Sequence, residues 1–308
     1  MSLKINNKTL AFLFVALLVV VILFVILEGG KNERTFRQVL VDIDTSSVTE
    51  ILIYPKSQNH QEVKLFRSED GWKVNLASGK TANVADKRIS DLYLQLLAIQ
   101  PKRLAARGEA KWNEFQVDST GSRVKVIEGS DVTLDLVIGR FSFQQPRTMN
   151  TFVRLYNDTD VYEVDGFLDM TFNQGSNSFR DGTLINADFN GWTQLQFNYP
   201  ADSSFQLLKT GDDWFVNDVK ADSSKTVNYL RKLSKFSNSS FIDDFNPENF
   251  INPAYSLNIT TADLKFIELK GFADSIQYVI QSSENPEAFF DGNSIGKTIF
   301  VGKSEFLP

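Results

Sequence analysis

The sequence predicts an α+β protein: an amino-terminal transmembrane helix followed by two similar modules, each a mainly antiparallel sheet with one principal helix. Three observations carry this expectation. Residues 10–27 are eighteen consecutive apolar side chains with no charge, amide or hydroxyl among them. From Val48 onward, short alternating apolar patterns broken by Gly-, Asp- and Asn-containing turns dominate. Five features of the first half then recur in the same order in the second, at a spacing near 140 residues.

As a helix, the apolar run rises to roughly 27 Å, close to the hydrocarbon thickness of a bilayer. It has no polar stripe of the kind a surface helix in a soluble domain carries. Lys4, Asn6, Asn7 and Lys8 precede it, and Glu28, Gly29, Gly30 and Lys31 follow. The run is longer than the apolar core of a secretory signal, and residues 26–28 make a poor cleavage site, so an uncleaved anchor is expected. Residues 1–9 form a short cytoplasmic tail in this reading, and residues 28–44 a spacer. The bulk of the chain is expected on the periplasmic side of a bacterial inner membrane, with a single pass.

The net charge of −6 and a pI near 5.0 argue against nucleic acid as a partner, because phosphate binding needs a basic groove. Cysteine is absent, so disulfides and thiolate metal sites are excluded. The 26 phenylalanines, with many Asn, Asp, Ser and Thr, fit a β-rich exterior domain.

The first module is expected over residues 45–175. Strands are predicted over 50–54, 62–66 and 72–75, with Glu69-Asp70-Gly71 as a tight turn. The period then changes. Ile89, Leu92, Tyr93, Leu96 and Ile99 form a helical stripe that Asp86 can cap and Pro101 ends. Strands resume at 123–127, at 132–139, where Val132, Leu134 and Leu136 alternate with polar residues, and at 151–156 and 161–164. Residues 167–188 show no clean period and read as a connector, with 176–190 as the boundary between modules.

The second module is expected over residues 191–308. Tyr199-Pro200 matches Tyr54-Pro55, and Gly211-Asp-Asp-Trp214 matches Gly71-Trp72. Ala221-Asp222 opens a helix carrying Val227, Leu230 and Leu233, as Ala85-Asp86 opens the first. Strands are predicted over 263–269, 275–280 and 298–301.

The chain is sparse in reactive chemistry. His60 is the single His and lies in the polar turn Ser57-Gln-Asn-His-Gln61, which reads as a solvated loop rather than a catalytic base. Glu69-Asp70, Asp212-Asp213, Asp243-Asp244 and Asp158 with Asp160 could supply paired carboxylates but read as turn formers. Asn157, Asp158 and Asp160 lack the twelve-residue calcium loop with its terminal Glu. Gly292-Asn-Ser-Ile-Gly296-Lys297-Thr298 ends like a nucleotide loop but lacks the leading Gly, and reads as a hairpin turn. Trp72 and Trp214 could stack on glycans, but their matched positions read as repeated core anchors. Asn157, Asn238 and Asn258 stand in Asn-x-Ser/Thr patterns. No catalytic, cofactor-binding or metal-ligating residue is assigned.

The acidic-Gly turn with Trp72-Lys-Val, Ala85-Asp86, Trp112-Asn-Glu-Phe115-Gln-Val-Asp118, Leu136-Val-Ile-Gly139, and Phe152-Val-Arg154 followed by Val161-Tyr-Glu-Val164 form a set of motifs. Together they resemble the DUF4340 domain family. The resemblance covers residues 48–175 and extends faintly beyond. It implies a membrane-anchored bacterial protein of undefined activity, some members of the family being linked to gliding-motility-type ABC transporter components. The expectation is a non-catalytic envelope protein, an accessory or scaffold subunit of an ABC-type transport or gliding-related complex. Its partner would be an integral membrane permease or auxiliary subunit. A carbohydrate- or cell-wall-binding module and a carboxylate-dependent hydrolase are the alternatives.

Overall fold

Val48, Ile51 and Ile53 point one way from an extended chain and are fully buried, while the residues between them are half exposed. That alternation is repeated through most of the molecule. The computed structural model describes residues 14, 16–19, 37–144, 148–273 and 277–308. The expected anchor over 10–27 lies largely outside them: Phe14 and residues 16–19 are helical and exposed. Among the described residues no helix is long and apolar enough to cross a membrane.

The first sheet contains β1 (Val48–Tyr54), β2 (Val63–Ser68), β3 (Gly71–Asn75), β4 (Thr81–Asn83), β5 (Pro101–Ala106), β6 (Ser122–Glu128), β7 (Asp131–Gln144), β8 (Thr148–Leu155) and β9 (Val161–Asp165). Helices α1 (Asp86–Leu97), α2 (Trp112–Phe115) and α3 (Asp169–Phe172) interrupt or follow them. After a short strand β10 (Thr183–Asn186) come β11 (Trp192–Asn198), β12 (Phe205–Thr210), β13 (Asp213–Val216) and β14 (Val219–Lys220). Helix α4 (Ser223–Leu233) leads to β15 (Lys235–Ser237), β16 (Tyr255–Thr261), β17 (Phe266–Ala273), β18 (Tyr278–Ser282), β19 (Asn285–Asp291) and α5 (Gly292–Ile299).

All strand pairs are antiparallel, and the two large sheets have corresponding orders. The first runs β4-β3-β2-β1-β6-β7-β8-β9-β5 and the second β14-β13-β12-β11-β16-β17-β18-β19. The difference lies at the far edge. In the first sheet the strand after the helix, β5, joins β9. In the second, β15 pairs with β10, and only Phe241 bridges to Phe290 of β19.

Each sheet buries one face under its helix. Ile89, Leu92 and Leu96 of α1 meet Ile51, Leu65, Val124 and Leu136, and Leu230 and Leu233 of α4 meet Leu195, Phe197, Leu257 and Leu269. Trp72 and Trp214 are both buried in these cores, as matched anchors. The helix starts differ. Asp222 caps α4, its Oδ1 accepting from the Lys225 backbone N–H at 2.9 Å. In α1 the cap position is Ala85 and makes no side-chain bond, so Asp86 is the first helical residue rather than the cap.

Five expectations are corrected. The strand predicted over 298–301 does not form: Phe300 and Val301 lie outside any strand, and Thr298 and Ile299 end α5. That helix is capped by Asp291, whose Oδ1 accepts from the Asn293 N–H at 3.0 Å. Its glycines do not make a turn. A Cβ at Gly292 or Gly296 would lie 2.7 or 2.4 Å from the Tyr278 ring, so two glycines four apart let the helix sit on that ring. Strand β7 runs through Gly139, where the sequence predicts its end, to Gln144. The Phe115 carbonyl packs where a Gly139 Cβ would stand, and the register shifts there between Ile138 and Phe141. The stretch read as a connector holds α3 and β10, and the strand placed at 263 begins at Phe266, after a turn closed by Thr261 and Asp263.

The two sheets meet through residues 180–187. Arg180, buried, pairs with Asp243 at 2.8 Å and lies 3.7 Å from the Phe241 ring centroid. Asn285 Nδ2 donates to the Asp181 carbonyl at 2.8 Å, the Asp181 N–H donates to the Asn83 carbonyl at 2.7 Å, and Lys73 reaches Glu287 at 3.4 Å.

Buried phenols make the fold sensitive to alkali. Tyr229 donates to the Ile299 carbonyl at 2.5 Å and Tyr199 to that of Val301 at 2.8 Å. Burial is the main cause that raises the pKa of Tyr199, Tyr229 and Tyr278. Tyr54 is pushed up to about 12, by partial burial and then by its bond to Glu62. Each folded-state pKa lies above the unfolded value near 10, so the native state holds protons that the unfolded chain has already lost. Stability is therefore fully present below pH ~10 and falls as pH rises through ~12. Melting curves from pH 9 to 12 check this. A midpoint that does not fall across that window would refute it.

Candidate interaction site

The residues weighed for chemistry do not converge. His60 sits in its turn with φ near 60°, its Nε2 3.0 Å from the Gly121 carbonyl. Glu69 and Asp70 are exposed in the β2–β3 turn. Asp213 pairs with Lys220 at 2.7 Å and Asp243 with Arg180, while Asp212 and Asp244 are exposed. Asp158 Oδ1 accepts from the N–H groups of Thr159 and Asp160 at 2.7 and 3.2 Å, which makes it a turn former. Each carboxylate pair occupies a different turn. Among the described residues no group of three His, Cys, Asp or Glu could hold a metal ion. Gly296, Lys297 and Thr298 lie within α5 rather than in a phosphate-cradling loop.

Beside Asp158, the buried Arg154 ties down the loop after β8. Its Nε donates to the Val117 carbonyl at 3.0 Å, and its NH1 to those of Leu155, Tyr156 and Asp158 at 3.1, 2.7 and 3.1 Å. The guanidinium stacks 3.7 Å from the Trp112 ring centroid, and Trp112 Nε1 donates to Thr159 O at 3.1 Å. Burial, the main cause, lowers the Arg154 pKa from its ordinary value. Every one of these partners is internal, so the group organises the fold.

The feature that the fold leaves unsatisfied is a ribbon. Beyond Gly139, β7 and the start of β8 continue as an antiparallel pair, with Phe141 opposite Thr151 and Phe143 opposite Met149. Phe141, Phe143 and Met149 are 49, 56 and 47 % exposed. Phe167 packs on Phe141 with ring centroids 4.7 Å apart, and Met170 of α3 is 71 % exposed. Side chains alternate along a strand, so Phe141 and Phe143 continue the face on which Ile138 and Val153 form the core. The core stripe thus runs past the end of its cover.

The ribbon's root is built firmly. Asn150, buried, donates from Nδ2 to Glu163 Oε1 at 2.6 Å, and Glu163 also pairs with Arg103. Lys102 bridges Asp165 at 2.7 Å and Asn150 Oδ1 at 3.4 Å. Arg140 donates from Nε to the Glu114 carbonyl at 2.8 Å and lies 4.9 Å from the Phe152 ring. On the second sheet the corresponding hairpin, β17–β18, carries its Phe272 on the other face, away from α4, where it is buried against Phe245 and Phe250 at ring distances of 5.4 and 5.7 Å. The sequence does not distinguish the two hairpins, because an exposed Phe and a buried one look alike in a string of letters.

The amino-terminal side of the domain enters at the opposite end of β7. The Asp44 N–H donates to Glu128 Oε1 at 2.9 Å, and Glu128 pairs with Asp131, the first residue of β7. The strand has 14 residues, about 45 Å at ~3.3 Å each.

Comparison with known families matches residues 72–258 to a domain of unknown function, DUF4340. The chain belongs to the DUF4340 family. Comparison with curated proteins and with solved structures gives no match. The DUF4340 match begins at Trp72 in β3 and ends at Asn258 in β16, so it crosses from the first sheet into the second. Arg154, Arg180 and the β7–β8 ribbon all fall inside the DUF4340 range, whereas the hairpin β17–β18 lies beyond it.

Proposed function

We propose that the chain is a non-catalytic, membrane-anchored envelope protein that serves as an accessory or scaffold subunit, with the ribbon as its docking element. In this reading residues 10–27 span the inner membrane and the two sheets are copies of one unit on the periplasmic side. The partner is an integral membrane subunit of an ABC-type transport or gliding-related assembly, a class taken from the family resemblance. The observation that carries the proposal is the paired exposure of Phe143 and Met149 on a ribbon whose root is pinned by the Asn150–Glu163 and Arg140–Glu114 hydrogen bonds. Large apolar side chains left outside the core of a folded unit, grouped on one face, mark a surface built to be covered. Phe and Met are also among the residues enriched where proteins meet.

The test is a photo-crosslinking residue at position 143 in intact cells, followed by identification of the adduct. An integral membrane protein should be captured. Phe143→Asp together with Met149→Asp should cut its recovery about 30-fold, the scale of a lost hot spot. The melting temperature should stay unchanged, since both side chains are exposed. Undiminished recovery with the double variant would refute the assignment.

A further inference from the structure

The open faces of the two sheets carry different chemistry. On the first, residues facing away from α1 are charged and paired: Lys64 with Glu50 at 2.7 Å, and Arg123 with Asp135 at 2.7 and 2.6 Å. On the second, the residues facing away from α4 on β12, β11 and β16 include Gln206, Gln194, Gln196, Asn198 and Asn258. The register sets them side by side: Gln196 stands opposite Gln206 on one flank and Asn258 on the other, and Asn198 stands opposite Ser256. Leu208 and Thr260 fill the neighbouring positions, so this part of the face has no charge. On the next strand Glu268 stands opposite Asn258 and Lys270 opposite Ser256, and the two pair with each other at 3.0 Å, so the charge bordering the row is internally balanced.

Asn198 is engaged, its Nδ2 donating to Ser256 Oγ at 2.9 Å, but the glutamines beside it are only weakly so. Gln194 Nε2 reaches Gln206 Oε1 only at 3.4 Å and Gln196 Nε2 reaches Asn198 Oδ1 at 3.4 Å, both long for hydrogen bonds. Among the described residues the Asn258 side chain has no hydrogen-bond partner. At one end the face dips into a shallow, open depression lined by Asn198, Tyr199, Pro200, Pro253, Ala254 and Ser256. At another edge Phe266, exposed, stands opposite Thr260.

We propose that this face binds a neutral, hydroxyl-rich chain, an oligosaccharide. Each amide both donates and accepts, as a sugar hydroxyl does, so a row of amides can pair with successive hydroxyls without burying a charge. Neighbouring strands lie ~4.8 Å apart, which steps the amides at about the interval of one pyranose ring. The row itself is uncharged and the Glu268–Lys270 pair at its border neutralises itself, so the face offers no unpaired charge to an ionic ligand. Phe266 offers an apolar surface for the C–H face of a ring. Ligand and site differ from those of the ribbon, so the two readings stand or fall separately.

The test uses the full-length chain in a sugar-free detergent. A β-1,4-linked N-acetylglucosamine tetramer, maltotetraose and a tetramer of a uronic acid are each followed by saturation-transfer NMR and calorimetry. At least one neutral tetramer should bind saturably, and the uronate should bind at least about tenfold more weakly or not at all. Asn258→Leu and Gln196→Leu should each weaken that binding about tenfold, the scale of one lost hydrogen bond. Lys125→Leu on the first sheet should leave it unchanged. Melting curves identify any variant that has lost its fold, and the two Leu variants back each other up. No saturable binding of either neutral tetramer, tighter binding of the uronate, or binding indifferent to both folded Leu variants would overturn the proposal.

Discussion

Replacing Arg154 with Ala is expected to destabilise the protein by about 3–4 kcal/mol. The guanidinium serves four backbone carbonyls, those of Val117, Leu155, Tyr156 and Asp158, and lies against Trp112. A buried acceptor left without a donor costs about 1–3 kcal/mol, and a desolvated cation–π contact contributes about 2. Water entering the vacated space recovers part of the loss, which brings the total below the simple sum. Arg154→Lys should be intermediate, because one ammonium cannot span the fork of carbonyls. Urea denaturation measures the change. Hydrogen exchange over 156–160 should rise in the Ala variant ahead of global unfolding. A loss under about 1 kcal/mol would mean that the loop holds without its cation.

The second large effect is expected at Arg180. Its removal leaves the Asp243 carboxylate without its 2.8 Å partner and uncovers the Phe241 ring. A cost of about 2–4 kcal/mol follows from breaking a mostly buried pair. The manner of unfolding should change as well. Arg180 lies where the segment after the first sheet crosses to the second. The links that remain there include the Asn285–Asp181 and Asp181–Asn83 bonds, the Lys80 ammonium on the Asp243 carbonyl and the longer Lys73–Glu287 pair. Calorimetry of Arg180→Ala should resolve two transitions in place of one, and protease should cut first within 176–190. A single unshifted transition would show that apolar packing alone joins the sheets.

Much of this architecture was legible from residue order. β1 to β3, α1 and α4 were readable because one face of each is buried and the other wet, which prints a period of two or of three to four into the sequence. Trp72 and Trp214 were readable as anchors because the fold uses the same position twice. What was missed has physical causes too. α5 was hidden because Gly292 and Gly296 look like turn residues, while their role is to admit the ring of Tyr278, a residue on another strand. β10 was hidden because its partner is β15, some fifty residues further along the chain. The tail of β7 was hidden because Gly139 satisfies a steric demand set by Phe115. The ribbon and the amide face depend on what fails to cover a residue, and no local pattern records that.

The position of β1 has a mechanical consequence. The chain reaches β1 at Val48, beside Glu128, at the end of the sheet opposite the ribbon, and β1 then runs toward the ribbon alongside β6 and β2. Tension applied between the amino terminus and a load on the ribbon would pull β1 along its own axis. The bonds from Val48 to Tyr54, which hold it to both neighbours, would then share the force in shear instead of opening one at a time like a zip. Resistance to such a pull is set by the rate of forced unfolding rather than by equilibrium stability. A sheet threaded this way can transmit a steady tug while yielding readily to a sideways peel.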